Sequence, residues 1–414
     1  MPRLLRLTAF LIGLTPMLPV VQAQSSRPQG PWKGTTNKRG DTTIVRTASG
    51  SVWGEPVRLV EELRIGTRDG DGPDVFGFIW AFALFPDGVM AVFDQSVPAL
   101  RLFDSAGKYL RTIGRTGSGP GEYRAINGLA VDRDGVLLVT DPRNSRINRW
   151  REDGAALPAW GLLASGALLT RFHGLQVDTA GNTYALILSG PPTPNSLPPF
   201  GLVRFDRNGR ILDTLSRPTI EGPDDPPLTA FAPFKHWILT RTGHAVTGFS
   251  GTYSVTVAGP RGAVRMDRAV ARVPLPPDER RNYQELMDAR TRTGMIGTGP
   301  EPSPVPAQKP YYSLLQADLD GRIWVQLHVR SEPFNPPPSE PRPGMPQLPP
   351  IRWREPAVVW DVFEPNGRYL GQLEFPPGTD WAEAKGNTVW AIVRGEDDEQ
   401  YIVRYRITGI RQEP

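Results

Sequence analysis

Apolar residues recur at every second position along most of the chain, in runs too short for helices and broken by Gly-containing turns. The clearest phrase runs from Gly114 to Trp150, GRTGSGPGEYRAINGLAVDRDGVLLVTDPRNSRINRW. A Gly-rich connector (Gly114 to Glu122) leads into an alternating run from Ile126 to Val131. Asp134-Gly135 marks a turn, Val136 to Thr140 is a second run, and Ile147 to Trp150 is a third. A period of two with Gly turns between is what a half-buried antiparallel meander requires.

The phrase repeats. A first turn carries Gly at 88, 135, 181, 243, 321 and 386, and a second carries Gly at 107, 154, 209, 262 and 367. Tight hairpins need positive φ, which glycine adopts at least cost. Gly88 to Gly107, Gly135 to Gly154 and Gly243 to Gly262 share one spacing, and the other two units are longer, so a common unit carries insertions. The pattern predicts an all-β fold, a six-bladed β-propeller of four-stranded antiparallel blades. Six first turns against five second turns leave the last blade one strand short. Val57 to Ile65 (VRLVEELRI) would also suit a short helix, but as a strand it completes that blade, closes the ring and hides two sheet edges. Thr42 to Thr47 reads as a strand as well. The expected organisation is a signal peptide at 1–23, a flexible leader at 24–40 and the propeller at 41–414.

Alternate connections of a four-stranded meander fall on opposite faces of the disc. Both Gly turns of every blade share one face, and they are short. The other face receives the long insertions: Gly114 to Arg124, Ser189 to Pro199, Arg217 to Lys235, Ala271 to Tyr311 and Arg330 to Glu355. Function concentrates on loops raised from a rigid scaffold, so a ligand or partner is expected on this loop-rich face. Pro277 to Arg292 (PDERRNYQELMDARTR) opens with Asp278 and Glu279 and spaces Tyr283, Leu286 and Met287 helically, which predicts an amphipathic helix over 277–292. Such a helix either lids the central channel or packs on a blade edge. Ser331 to Pro350 is dominated by Pro and reads as extended or as a disordered loop.

Composition bears on compartment more than on fold. With Gly 43 and Pro 45 in 414 residues, the chain suits many short strands and turns. Arg3 and Arg6, the apolar run from Leu7 to Val21, and Val21-Gln22-Ala23 form the three parts of a secretory signal, with cleavage expected after Ala23 and a periplasmic or extracellular product. Pro16 and Pro19 interrupt the run and no second apolar span of about 20 residues follows, so no permanent membrane span is expected. Cys 0 excludes disulfides, thiolate zinc sites and a lipid-bearing cysteine. The formal charge of +4 falls to about +2 once Arg3 and Arg6 are removed, too little to argue for nucleic acid. A monomer is expected, with an unknown protein, peptide or small molecule as its ligand.

The runs GRTGSGPGEY and GLAVDRDGVLLVTDPRNSRI resemble NHL-repeat-type six-bladed β-propellers, particularly exported bacterial propellers of undefined function. The strong likeness covers roughly Phe82 to Trp150, with echoes to Ile407. Blades three to six depart from it: Leu186-Ile187-Leu188 and Thr247-Gly248-Phe249 stand where Val139-Thr140-Asp141 would. The resemblance implies the fold, since propellers host unrelated functions. It also implies that Asp141, Asn144 and Arg146 make intrablade hydrogen bonds, with Arg143 left for ligand contact.

Counting back five positions from the residues entering the first turns, taken as Phe85, Asp132, Asp178, Arg241, Asp318 and Ala384, gives Trp80, Asn127, His173, His236, Ser313 and Thr379. These six are expected to ring the channel mouth. Two imidazoles in neighbouring blades suit a divalent metal, calcium or zinc, or acid–base work near neutral pH. A metal wants three or more protein ligands, and the ring adds only Asn127. Channel-lining histidines held by hydrogen bonds are the simpler reading. Gluconolactonase-like and paraoxonase-like propellers hold a catalytic calcium with Glu, Asn and Asp, and NHL-type amidating lyases use three His on zinc; this ring matches neither. The glycines at 114, 117, 119 and 121 open no helix and lack a following Lys-Ser/Thr, so they read as a connector. His244 and His328 have no partner in sequence, the tryptophans read as packing between blades, and no compact catalytic motif appears. The sequence therefore favours a binding or scaffolding module over an enzyme. The rival is a metal-assisted hydrolase or lyase using His173 and His236.

Overall fold

The structure, a computed structural model, describes residues 30–54, 57–161, 175–188, 200–224, 227–294, 303–337, 346–395 and 397–411. Six sheets surround a central channel, and each contributes its first strand to the channel wall. Blade 1 comprises Ile79–Leu84, Met90–Asp94, Ala99–Phe103 and Tyr109–Ile113. Blade 2 comprises Gly128–Val131, Val136–Asp141, Arg146–Arg151 and Ala156–Gly161, and blade 3 Leu175–Val177, Thr183–Leu188, Phe200–Phe205 and Ile211–Leu215. Blade 4 has Lys235–Leu239, Ala245–Phe249, Ser254–Gly259 and Gly262–Arg268, and blade 5 has Tyr312–Ala317, Ile323–Leu327, Val358–Phe363 and Tyr369–Phe375. Blade 6 has Thr379–Lys385, Thr388–Arg394 and Gln400–Thr408, completed by Arg58–Ile65.

The closing strand pairs antiparallel, Arg58 with Thr408 and Ile65 with Ile402. Its helical composition is overridden because Leu59, Leu63 and Ile65 find apolar partners in blades 5, 6 and 1. All eleven turn glycines hold positive φ. Gly367 has a second constraint: a Cβ there would stand 2.9 Å from the Val45 side chain.

Blade 4 departs from four strands. Lys33–Arg39 and Thr42–Ser49 form a hairpin whose second strand runs parallel to Gly262–Arg268, making six. The flexible leader expected over 24–40 is therefore ordered from Lys33. Its strand is exposed along its whole length, so local hydrophobicity gave no sign of it. What holds it is the partner strand, where Val45 is buried, and the Trp32 indole N–H, which donates to Thr47 Oγ1 at 3.2 Å.

Apolar side chains fill the spaces between blades. Phe93, Leu100 and Leu102 of blade 1 meet Leu137, Val139 and Trp150 of blade 2, and Trp324 and Trp360 of blade 5 meet Trp381 of blade 6 at 6.0 and 6.3 Å. A polar clamp repeats at the end of the second strand. Asp94 accepts the N–H groups of Gly77 and Phe78, Asp141 those of Arg124 and Ala125, and Ser250 that of Phe234. Asp141 also accepts from Asn144 and Asn148, while Arg146 donates to the carbonyls of Ser118, Gly119 and Glu122. The Gly-rich connector is thus strapped to its blade by the side chains of Asp141, Asn144, Arg146 and Asn148.

Helix α1 spans Pro277–Arg292, the predicted bounds, with Pro in its first turn, Asp278 and Glu279 beside it, and Arg290 and Arg292 at the end. It packs on the insertions of the loop-rich face. Asn282 Nδ2 donates to Pro350 O at 3.0 Å, Arg352 N–H donates to Asn282 Oδ1 at 2.8 Å, and Val305 N–H donates to Gln284 Oε1 at 2.9 Å. None of the described residues lining the channel cavity belongs to it. The Pro-rich insertion is extended at its ends, where Glu332–Pro333 pairs with Trp353–Arg354; its centre, 338–345, lies outside the described residues. No helix among the described residues is long and apolar enough to cross a membrane.

Candidate functional site

The first strand of each blade begins at the loop-rich face, and Trp80, Asn127, His236, Ser313 and Thr379 lie at or next to that end of their strands. Trp80, Ser313 and Thr379 lie at that end of blades 1, 5 and 6; Asn127 immediately precedes the blade 2 strand, its N–H donating to Thr140 O at 3.3 Å. Ser313 Oγ donates to Gln326 O at 3.4 Å, and Thr379 is buried. His173 lies outside the described residues. Arg143 is exposed on the turn Pro142–Asn144, between the middle strands of blade 2 and on the same face.

Hydrogen bonding at the turns corrects the register in two blades. Asp132 donates its N–H to Val136 O and accepts that of Gly135, and its Oδ1 accepts the N–H groups of Asp134 and Val136. In blade 4 the residue with this role is Thr240, not Arg241. It donates to His244 O, accepts from Gly243, and uses Oγ1 to take the N–H groups of Thr242 and His244. Lys235 therefore holds the ring position. His236 alternates away from it, with its ring 5.4 Å from that of Tyr312 in blade 5. Blade 6 turns through two residues between Lys385 and Thr388, which shifts its ring position from Thr379 to Asp380, a residue lining the channel. A hydroxyl substituting for a carboxylate, and a shorter turn, hid both slips.

The channel encloses a cavity of about 170 Å³ lined from all six blades. Aromatic side chains remain partly exposed at its loop-rich end. Phe78 and Trp80 pack 5.9 Å apart beside blade 1, and Phe234, immediately before the first strand of blade 4, is 50% exposed.

Above the inner ends of blades 4 and 5 lies a charge cluster that sequence reading missed. Lys309 is fully buried, and its Nζ donates to Val329 O at 2.8 Å, Ser331 Oγ at 2.7 Å and Glu355 Oε1 at 2.7 Å. Ser331 Oγ donates onward to Glu279 Oε1 at 2.7 Å. His328, which has no partner in sequence, places Nδ1 2.9 Å from Glu355 Oε1. Burial alone would raise the Glu355 carboxyl; the hydrogen bond and charge of His328, followed by those of Lys309, outweigh it and hold it below the ordinary range. Burial, with Glu279 and Glu355 nearby, pushes the Tyr283 phenol up to about 12. Phe231 packs against Tyr283 at 4.8 Å and His328 at 5.6 Å from a left-handed backbone with φ 58. The donor set is one a cation would accept, and the Lys309 ammonium occupies its centre. The cluster joins α1, the 303–309 segment and both ends of the Pro-rich insertion into one platform.

His244 lies at a first turn on the opposite face, its Nδ1 3.2 Å from Thr242 Oγ1. Among the described residues no group of three or more His, Asp or Glu is placed to hold a metal ion, and His173, the expected partner of His236, lies outside them.

Fold and site together define a six-bladed β-propeller whose elaborated face surrounds the channel mouth. A family described as a 6-bladed beta-propeller (DUF5128) matches residues 84–150. No curated protein sequence matches the chain. Among solved structures, a Bacteroides fragilis protein named as exported is similar at 14% identity and a TM-score of 0.47, covering 85% of this chain and 95% of its own. A DUF4221 member from Bacteroides vulgatus is similar at 11% identity and a TM-score of 0.49, covering 85% of this chain and 98% of its own. Virginiamycin B lyase from Staphylococcus aureus is similar at 11% identity and a TM-score of 0.41, covering 85% and 100%. Sequence identities at this level speak to the fold alone.

Proposed function

We propose that this chain is an exported binding or scaffold module, an NHL-type propeller taking a protein, peptide or small-molecule ligand at the loop-rich face around the channel mouth. The observation that carries this reading is the set of partly exposed aromatics there, Phe78, Trp80 and Phe234. Aromatic side chains at the mouth of a rigid scaffold are what ligand pockets use for contact area. Among the described residues, none of the exposed large hydrophobic side chains lies in the Gly turns of the other face. Export rests on the Met1 to Ala23 pattern. The metal-assisted hydrolase or lyase reading loses support with His236 turned toward Tyr312.

A fragment library rich in aromatic and carbohydrate compounds, screened by saturation-transfer NMR, tests the reading. Most fragments binding the native protein are expected to lose their signal on the Trp80→Ala/Phe234→Ala double variant. An unchanged hit list on a folded double variant overturns it.

A further inference from the structure

Charged side chains deep in the channel have no part in the reading above. Toward the turn face, the cavity is lined by Gln176, Thr240, Arg241, Gln316 and Glu383. Arg241 spends only Nη1, donating to Val177 O at 3.3 Å. Glu383 engages one oxygen, Oε1, which accepts the Ala384 N–H at 2.9 Å. Both side chains line the cavity.

We propose that the channel contains a binding site for a small carboxylate, acetate- or lactate-sized, seated between the Arg241 guanidinium and the Glu383 carboxyl. Size sets the first limit: a cavity of about 170 Å³ admits an anion of a few heavy atoms. Charge sets the second. Burial raises the Glu383 carboxyl to about 8; the Ala384 N–H and Arg241 oppose this, and Asp318 and Asp320 of blade 5 reinforce it. Asp380, on the same strand, lines the same cavity. Near neutral pH Glu383 therefore holds a proton that its O–H can offer to a ligand. Arg241 N–H groups, the Glu383 O–H and the Gln316 amide then present donors at the turn end of the cavity, which an acceptor-rich ligand satisfies. A carboxylate also balances the Arg241 charge with the bidentate geometry a guanidinium favours, whereas a cation meets that charge directly. Above pH 8 Glu383 loses its proton and repels the anion, so binding there requires proton uptake.

Isothermal titration of the purified protein with sodium acetate and sodium L-lactate, against sodium chloride at matched ionic strength, tests the site. Saturable binding is expected at pH 7, weakening about 30-fold by pH 9.5 as the proton on Glu383 is lost. Glu383→Gln keeps a donor at every pH and should bind nearly equally at both. Arg241→Met should abolish binding while retaining the native circular dichroism. Leu212→Ala, exposed on the outer strand of blade 3 and outside the cavity, should leave binding unchanged. Absence of saturable binding by either carboxylate at pH 7, persistence in Arg241→Met, or equal competition by methylammonium would each overturn the proposal.

Discussion

Asp141 shows what a single side chain does for a blade. Its buried carboxylate takes two connector N–H groups and two Asn amides, and Arg146 stands 3.8 Å away. Asp141→Ala strands those donors and should cost about 2–4 kcal/mol in urea unfolding, since hydrogen bonds to charged groups contribute roughly 1.5–3 kcal/mol and orphaned donors add to that. Ser250→Ala, which loses two neutral hydrogen bonds to the Phe234 backbone in blade 4, should cost about 1–2 kcal/mol. Glu383 makes a different prediction. Its folded carboxyl, raised from 4.5 to about 8, retains a proton that the unfolded chain releases. The contribution is complete below 4.5 and is lost as pH rises toward 8. Urea midpoints should therefore fall between pH 5 and pH 8, and Glu383→Gln should flatten that component. Asp141 was legible because its motif is local. Thr240 was not, because a hydroxyl there does what carboxylates do at 132 and 318, and only the hydrogen bonds reveal the equivalence.

Among elements, α1 was readable to the residue: Pro and acids open it, Arg residues close it, and its apolar positions share a face. What it rests on was not readable. Glu279, Lys309, His328, Ser331 and Glu355 come from separate segments, and no spacing rule links them. Lys309→Met should cost about 3–5 kcal/mol, because it leaves the buried Glu279 without its cation and the partly buried Glu355 with His328 alone. Hydrogen exchange should then rise selectively in 277–292 and 303–309, with the amides of blades 1 and 2 unaffected. Uniform exchange across the chain would mean that the cluster stabilises the whole ring rather than its platform.

At the scale of the molecule, closure and decoration are separate. The hairpin Lys33–Arg39 and Thr42–Ser49 extends blade 4, whereas Arg58–Ile65 closes the ring by completing blade 6. A chain lacking residues 30–50 should remain monodisperse on gel filtration and unfold cooperatively at a lower temperature. Removal of 30–66 exposes the edge of Gln400–Thr408 and should produce aggregation. Comparable behaviour of the two truncations would contradict this division.

The sequence by itself determined the all-β class, the blade count, the positions of the turns, the closing strand and the helix. These follow from short-range rules: alternation across a pleat, positive φ at glycine, and a helix period read within one segment. Only the tertiary structure decided that 33–49 joins blade 4, that Lys235 and Asp380 hold ring positions expected of His236 and Thr379, and that Lys309 sits among carboxylates. Those outcomes depend on contacts between segments distant in sequence, where packing and charge pairing select a register that local pattern leaves open.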